Sequence, residues 1–264
     1  MAVKRRDFLI VIPARLGSKG VPGKNFKKIG GKTLVQRSIQ HALLLGDIAD
    51  ILVSTDSLSF ISEKIGETRT ISKNSILPDS FIEADGVIYH FRDSQLSQDE
   101  SLIMDLINHI CVNSKLAKLR NYRSIVLLQP TTPFRTIDEI EKIRYFLTSQ
   151  ATENSSLVSF KSAINSHPAR MYAETDLGLF RGIESYRDFR EARRQDCPPL
   201  FLRDGGYYVI GTDLIREKRQ SSEVVTGMKR EFPLSINIDT EEDFMIAEMC
   251  IDRVIGDPNG RLEV

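Results

Sequence analysis

The chain predicts an α/β fold built on a mostly parallel, doubly wound sheet with helices on both faces. Three observations predict it. Short apolar, β-rich runs alternate with amphipathic stretches along most of the length. The first of these runs breaks at Pro13 into a loop holding Gly17, Gly20 and Gly23 among Arg15, Lys19 and Lys24. The other polar clusters also follow strand ends, where open α/β sheets bind their ligands. At 264 residues the chain is long enough to bury a sizeable core and could form one large α/β domain or two small ones; of these, a single domain over residues 1–264 is expected.

Taken in order, Phe8–Ile12 reads as a buried strand, and a helix follows from Thr33, its N-cap, to Leu45. Ile51–Asp56 is a second strand and Ser59–Glu67 a helix. The stretch from Thr68 to Gln98 is polar and poorly periodic and yields no assignment. Glu100–Leu119 reads as a helix, Ser124–Gln129 as a strand, and Ile137–Thr148 as a helix that Thr136 or Asp138 can cap. Leu157–Phe160 and Tyr207–Ile210 are further strands. Between them, residues 162–200 are rich in Arg and sparse in apolar residues, which predicts an excursion from the sheet. A short strand ending at Asp239 leads into a last helix, Glu241–Val254, opened by Asp239 or Thr240.

Composition excludes several function classes. Lys+Arg and Asp+Glu both number 36, a balance that argues against a general binder of nucleic acid or acidic membranes. Cys111, Cys197 and Cys250 are far apart and outside any CxxC spacing, so reduced thiols are expected, with no zinc site or disulfide framework. The apolar run after the basic start ends at Pro13, too short for a signal-peptide core or a membrane span, and a soluble, cytoplasmic protein is expected.

The loop after the first strand has the chemistry of a polyphosphate site: glycines let backbone N–H groups turn toward an anion, and three cations supply charge. It is not a P-loop. Gly31-Lys32-Thr33 ends like one, but Phe26 stands where the pattern requires glycine. In the second cluster, Leu127 to Arg135, Pro130 and Pro133 fix a turn, and Gln129 and the Thr131 and Thr132 hydroxyls can hydrogen-bond a sugar or base. In the third, Phe201 to Tyr208 with Arg193 and Arg194 just before it, guanidinium groups suit a carboxylate or phosphate; Asp204-Gly205, read alone, favours a hairpin turn. In the fourth, Asn237 and Asp239 share one face of an extended strand, an oxygen pair suited to Mg²⁺ beside a triphosphate, although helix capping explains Asp239 equally well.

Together these blocks resemble the acylneuraminate cytidylyltransferases, the CMP-sialic acid synthetases. The resemblance rests on Ala14-Arg15-Leu16-Gly17-Ser18-Lys19-Gly20-Val21-Pro22-Gly23-Lys24-Asn25, on Val53-Ser54-Thr55-Asp56, on Leu127 to Arg135 and on Ile238 to Asp243, in the family's order over nearly the whole chain. It implies a nucleotide-diphospho-sugar transferase-like fold and transfer of CMP from CTP to the anomeric hydroxyl of a 2-keto sugar acid, with release of pyrophosphate. By position it implies that Ala14, Arg15, Ser18, Lys19, Lys24, Asn25 and Arg92 hold the nucleotide, Arg92 helping to recognise cytosine. Gln129, Thr131, Arg194 and Arg203 would face the sugar acid; Asp239, with Asn237, would hold Mg²⁺ or Mn²⁺; and Arg15, Lys24 and Asp239 would carry catalysis. It also implies a homodimer, with residues 162–200 as the dimerisation arm and Arg170 or Arg194 completing the partner's site.

The chain departs from the family pattern in three places. Asn237 replaces a carboxylate, which weakens the metal assignment. The segment between Asp56 and Arg92 is longer than usual. Asp204 stands where the family has another residue, which adds a carboxylate near the sugar pocket and points toward a different nonulosonic acid, such as legionaminic or pseudaminic acid. The alternatives are a 3-deoxy-octulosonate cytidylyltransferase, which the Leu127–Arg135 block disfavours, and a non-catalytic nucleotide- or sugar-binding relative, motivated by Asn237. A dinucleotide-binding oxidoreductase is disfavoured because no GxGxxG follows the first strand. His41, His90, His109 and His167 are scattered and fall in no matched block, so each is expected to be structural or solvated.

Overall fold

The strand at Phe8–Pro13 (β1) is wholly apolar up to its last residue and buried through Ile12, which suits a position flanked on both sides. In the computed structural model, which describes residues 6–18, 20–66, 76–98, 102–112 and 122–255, that is where it lies. After it come a two-residue hairpin, β2 (Lys28–Ile29) and β3 (Lys32–Thr33), then α1 (Leu34–Leu43), β4 (Ala49–Thr55), α2 (Leu58–Gly66), β5 (Ser80–Ala84) and β6 (Val87–Phe91). The middle of the chain forms α3 (Ile103–Val112), β7 (Ser124–Leu127), α4 (Ile137–Ser149) and β8 (Ser156–Ser162). The remainder forms β9 (Tyr172–Glu174), β10 (Phe180–Gly182), β11 (Phe201–Gly211), α5 (Thr212–Arg216), β12 (Thr226–Lys229) and α6 (Glu241–Ile255).

Eight strands make one sheet in the order β12-β8-β11-β7-β1-β4-β6-β5. β1 pairs in parallel with β4 and β7, β4 with β6, and β12 with β8, while β11 runs antiparallel between β7 and β8, and β5 antiparallel at the far edge. The predicted mostly parallel sheet is therefore correct, with antiparallel strands inserted at β11 and β5. Alternate residues of β1 face opposite ways. Ile10 and Ile12 join Val35 of α1, Ile61 of α2 and Ile143 of α4 on one face, whereas Leu9 and Val11 join Ile107 of α3 and Leu214 of α5 on the other. The sheet is doubly wound. A third apolar cluster packs α6 against Val21, Ile29 and Phe134, which closes the loop after β1 over the end of the sheet.

The helix starts follow the sequence signals. Thr33 and Gln36 form a capping box at α1, and Thr136 and Glu139 form one at α4, each worth about 1 kcal/mol. At α6, the Thr240 hydroxyl accepts from the Asp243 N–H, and the Asp243 carboxylate accepts from the Asp239 and Thr240 N–H groups.

Four expectations need correction. The unassigned stretch contains the β5–β6 hairpin, turned at Asp85 and Gly86, both with positive φ. Asp204-Gly205 is no hairpin turn: it lies within β11, where the register shifts between Arg203 and Tyr208 and Gly205 takes φ 80. Residues 236–239 form no ladder, because Ile238 bonds to the Thr131 carbonyl of a loop instead of a strand. Finally, Ser162 still belongs to β8, so the excursion from the sheet starts at residue 163; it holds the β9–β10 hairpin and three short 3₁₀ turns.

Candidate active site

The cavity at the carboxyl ends of β1, β6 and β7 has a volume of about 420 Å³. Arg15, Ser18, Lys24 and Asn25 come to it from the loop after β1, Arg92 from the end of β6, Gln129 and Thr131 from the turn after β7, and Asn237 and Asp239 from the approach to α6. Blocks separated by as much as 224 positions in sequence thus line one space, at the place where open α/β sheets bind ligands.

The loop is held by specific bonds. The Leu16 N–H donates to Asp56 Oδ1 at 2.6 Å and the Ala14 N–H to the Ser54 carbonyl at 2.8 Å, so the end of β4 sets the course of the chain leaving β1. Gly20 lies against the Asp239 backbone: a Cβ there would stand 1.9 Å from the Asp239 carbonyl oxygen. Lys24 Nζ donates to the Ile238 carbonyl at 2.5 Å and to Asp239 Oδ1 at 3.0 Å, a second tie between loop and α6. The amide of Asn25 donates to the Arg15 carbonyl at 2.9 Å, while its buried Oδ1 meets no partner among the described residues.

Charge in the cavity is mainly positive. Arg92 is buried, donating through Nε to Ser54 Oγ at 3.1 Å and through Nη2 to the Ser54 carbonyl at 2.9 Å. Burial pushes its pKa down to about 10, Asp56 opposing and Arg15 reinforcing that shift, so it stays charged at neutral pH. Among the described residues, the one carboxylate on the wall is Asp239. Its Oδ1 faces Lys24 and its Oδ2 accepts from Asn237 Nδ2 at 2.6 Å, so Asn237 and Asp239 do share a face.

Three sequence candidates are not on the cavity wall. Ala14 is fully buried in the core. Arg203 sits on the exposed beginning of β11, where it pairs with β8 and donates to Ser221 Oγ at 3.2 Å. Arg194 donates to Asn165 Oδ1 at 2.8 Å within the excursion. Lys19 lies outside the described residues. The expectation that Asp204 adds a carboxylate to a sugar pocket is also overturned. Asp204 is 2% exposed, and its oxygens accept from Ser159 Oγ at 2.5 Å, the Gly206 N–H at 3.0 Å and Arg230 Nη1 at 3.1 Å. It points beneath the site into a buried network, and nothing about the sugar follows from it.

That network shapes the wall. Arg135, fully buried, donates to the Gln129 carbonyl at 2.9 Å and the Gly206 carbonyl at 3.1 Å, while Arg230 pairs with Glu139 at 2.8 Å. Both guanidinium groups lie 5.4 Å from the centroid of the Tyr207 ring. Gly206 is required here, because a Cβ would come within 2.2 Å of Arg230. Sequence reading also missed an apolar side of the cavity, formed by Leu96, Leu102, Ile103 and Leu106. The amphipathic pattern of α3 was legible, but its position over the cavity was not.

Comparison with known proteins now bears on this geometry. Residues 9–68, which hold β1, the basic loop and β4, match the cytidylyltransferase family. The chain is 28% identical over 261 residues to an N-acylneuraminate cytidylyltransferase of Streptococcus agalactiae, covering 96% of this chain and 56% of that protein. It is 26% identical over 246 residues to the CMP-N,N'-diacetyllegionaminic acid synthase of Legionella pneumophila, covering 92% of this chain and 96% of that protein. The chain is thus similar to cytidylyltransferases, through the family match in its first part and through relatives that align over nearly its whole length. Those relatives include acylneuraminate and CMP-legionaminate enzymes, in line with the resemblance that the sequence blocks carry. The chain spans about half the length, 56%, of the streptococcal relative. The fold is shared with CMP:2-keto-3-deoxy-manno-octonic acid synthetase, solved in complex with CTP, at a TM-score of 0.59 and 15% identity over 93% of this chain and 98% of that one. It is shared too with 4-diphosphocytidyl-2C-methyl-D-erythritol synthase of Anaerococcus prevotii, at a TM-score of 0.55 and 12% identity over 94% and 99%. No helix among the described residues is long and apolar enough to cross a membrane.

Proposed function

We propose that the cavity binds CTP and a sialic-type nonulosonic acid and joins them, releasing pyrophosphate. The observation that carries this reading is the convergence of Arg15, Ser18, Lys24, Asn25, Arg92, Gln129, Thr131 and Asp239 on one cavity. Arg15 and Lys24 neutralise the triphosphate, and the unpartnered Asn25 Oδ1 accepts from a nucleoside donor. Arg92 and the apolar side on α3 take the base, and Gln129 and Thr131 meet the sugar.

In the reaction the anomeric oxygen of the sugar acid attacks the α-phosphorus of CTP. A P–O bond forms there, the bond to the α,β-bridging oxygen breaks, and pyrophosphate departs with the electron pair. Such transfer asks mainly for positioning and charge neutralisation. None of the four histidines lines the cavity, so none of them takes the hydroxyl proton directly. The solvent-facing carboxylate of Asp239 fits a hard cation such as Mg²⁺, which takes oxygen ligands together with phosphates. Asn237 turns its Nδ2 to that carboxylate and its Oδ1 to Thr132 Oγ1, so it would offer an oxygen to the ion only with its amide turned over. When bound, Mg²⁺, or Mn²⁺ in its place, neutralises phosphate charge and acidifies the attacking hydroxyl. Lys24 holds Asp239 meanwhile and is released to the phosphates as they arrive.

The reading extends to a homodimer in the cytoplasm. The excursion at residues 163–200 exposes Tyr172, Leu177, Leu179 and Phe180, and carries Arg170 and Arg194 away from the cavity of its own chain. A second copy would cover the apolar tip and receive those cations. Sedimentation tests this directly: a fully active monomer removes the dimer.

Pyrophosphate release from CTP, measured across a panel of 2-keto sugar acids with and without Mg²⁺, tests the reaction. ATP, GTP and UTP are the controls. Release with CTP and a nonulosonic acid is the expected result, and release with 3-deoxy-octulosonate alone would move the assignment to that substrate. Tight CTP binding with no release at any Mg²⁺ or Mn²⁺ concentration would make the chain a non-catalytic relative, the reading that Asn237 motivates.

A further inference from the structure

Outside the cavity, three side chains from three separate elements converge. Asp79, just before β5, receives two imidazoles on one carboxylate oxygen: Nε2 of His90, from β6, at 3.1 Å, and Nε2 of His109, from α3, at 2.7 Å. Asp79 holds a left-handed backbone, φ 61, with its N–H bonded to the Phe91 carbonyl at 2.7 Å, which costs a non-glycine residue conformational energy. The two imidazole rings lie near one another, centroids 6.0 Å apart and 23° from parallel, and the three donor atoms all fall within 4.8 Å of one another.

We propose that Asp79, His90 and His109 form a binding site for a divalent transition metal of the Zn²⁺ class, separate from the place at Asp239. Imidazole nitrogen with a carboxylate oxygen is a donor set for zinc and its neighbours and not for Mg²⁺, which prefers oxygen alone. Four donors about 2.0–2.1 Å from a tetrahedral ion stand about 3.3 Å apart. The His90–Asp79 separation of 3.1 Å falls short of that by about 0.2 Å and the His109–Asp79 separation of 2.7 Å by about 0.6 Å, so an ion enters by a spreading of side chains, mostly at His109. Three protein donors leave a fourth position for water. Access is available too, because His109 is 32% exposed and Asp79 21%, while His90 is sealed against Phe81, stacked at 4.4 Å. Sequence spacing could not show this site: its ligands are 11 and 19 residues apart, and cysteine takes no part.

The site is also wired to the active cavity. His90 Nδ1 lies 2.9 Å from Ser54 Oγ, which accepts the Nε–H of Arg92 at 3.1 Å. Without metal, the Asp79 carboxylate can only accept, so His90 carries its proton on Nε2 and its Nδ1 accepts a hydrogen bond from the Ser54 hydroxyl. A metal on Nε2 moves that ring proton to Nδ1, where it donates to Ser54 Oγ, the outer-shell partner that ligating histidines usually have. Ser54 Oγ then accepts from both His90 and Arg92, and its own hydroxyl proton turns elsewhere. The ion would also tie the β5–β6 edge to α3, which forms the apolar side of the cavity.

Equilibrium dialysis of the metal-free protein against ZnCl₂, with Co²⁺ as a visible-absorption probe, tests the proposal without reference to activity. One ion per chain is expected, with a tetrahedral Co²⁺ spectrum, and affinity at least about tenfold weaker in His109→Ala and Asp79→Asn. Asp239→Asn should keep the ion. Circular dichroism confirms that each variant folds, and His109→Gln replaces His109→Ala if that variant does not. Absence of stoichiometric binding in the parent protein overturns the proposal, as does binding that persists in folded His109 and Asp79 variants or that disappears in Asp239→Asn.

Discussion

Lys24 carries two opposed duties. Its ammonium pairs with Asp239 at 3.0 Å in the free chain, and the proposed reaction needs both groups on phosphate, one directly and one through the cation. Lys24→Ala should therefore lower pyrophosphate release by about 10²–10³-fold, the scale of losing one donor to developing charge. The same change should tighten Mg²⁺ binding to the free protein, since it removes the competing cation. Steady-state kinetics and calorimetry separate the two effects; weaker Mg²⁺ binding would show that Lys24 supports the carboxylate and does not block it. Gly20 is the other single-residue constraint. A methyl group 1.9 Å from the Asp239 carbonyl oxygen leaves no room, so Gly20→Ala must lift the loop off the approach to α6. We expect at least about tenfold weaker CTP binding, the cost of roughly 1.4 kcal/mol in misplaced loop contacts, with the unfolding midpoint little changed. Calorimetric titration with CTP and a thermal melt read both.

The elements show which sequence signals could be trusted. Two Asp-Gly pairs are the clearest case. Asp85-Gly86 does turn a hairpin, both residues at positive φ, yet its strands were not read, because β5 is only partly buried and lacks an alternating pattern. Asp204-Gly205 carries the same signal but sits inside β11, because Asp204 is held by Ser159, Gly206 and Arg230 and the chain continues as a strand. Local turn chemistry yielded to a tertiary network there. Strands β1, β4 and β7 and helices α1, α4 and α6 were legible because apolar runs and caps are local properties. The placement of Arg203 and Arg194 off the cavity was not, since it depends on the register shift in β11 and on the course of residues 163–200. The network itself is testable. Burial opposes the charge on Arg230, but Glu139 and Asp204 outweigh it and raise its pKa above the ordinary value. Arg230→Met leaves two buried carboxylates without their cation, so unfolding free energy should fall by about 3–5 kcal/mol in urea titration. A loss under 1 kcal/mol would mean that Tyr207 and the Gly206 N–H suffice to hold this wall.

At the scale of the molecule, acid should act on histidines as well as on carboxylates. His41 of α1 is 1% exposed, and neither ring nitrogen has a partner among the described residues. Burial, with Arg135 and Arg37 adding to it, pushes its pKa down to about 3 from the ordinary 6.5. Burial likewise lowers His90 to about 4, against the opposing pull of Asp79. Both residues are therefore neutral in the folded state and become protonated first in the unfolded one. Between pH 6.5 and those lowered values the unfolded chain binds more protons, so stability is fully present above pH 6.5 and is lost as pH falls. The charge pattern around His41 explains why no carboxylate rescues it: Arg37, Arg135 and Arg230 all repel the imidazolium. His41→Leu keeps the buried volume near its original value and removes the titration. The variant should then show a flatter decline in unfolding free energy from pH 6.5 to pH 4, by urea titration at each pH. The His90 contribution and the carboxylates below it would remain. Parallel curves for the variant and the parent protein would instead place the acid sensitivity elsewhere, with His90 and the buried Glu139–Arg230–Asp204 network the next groups to test.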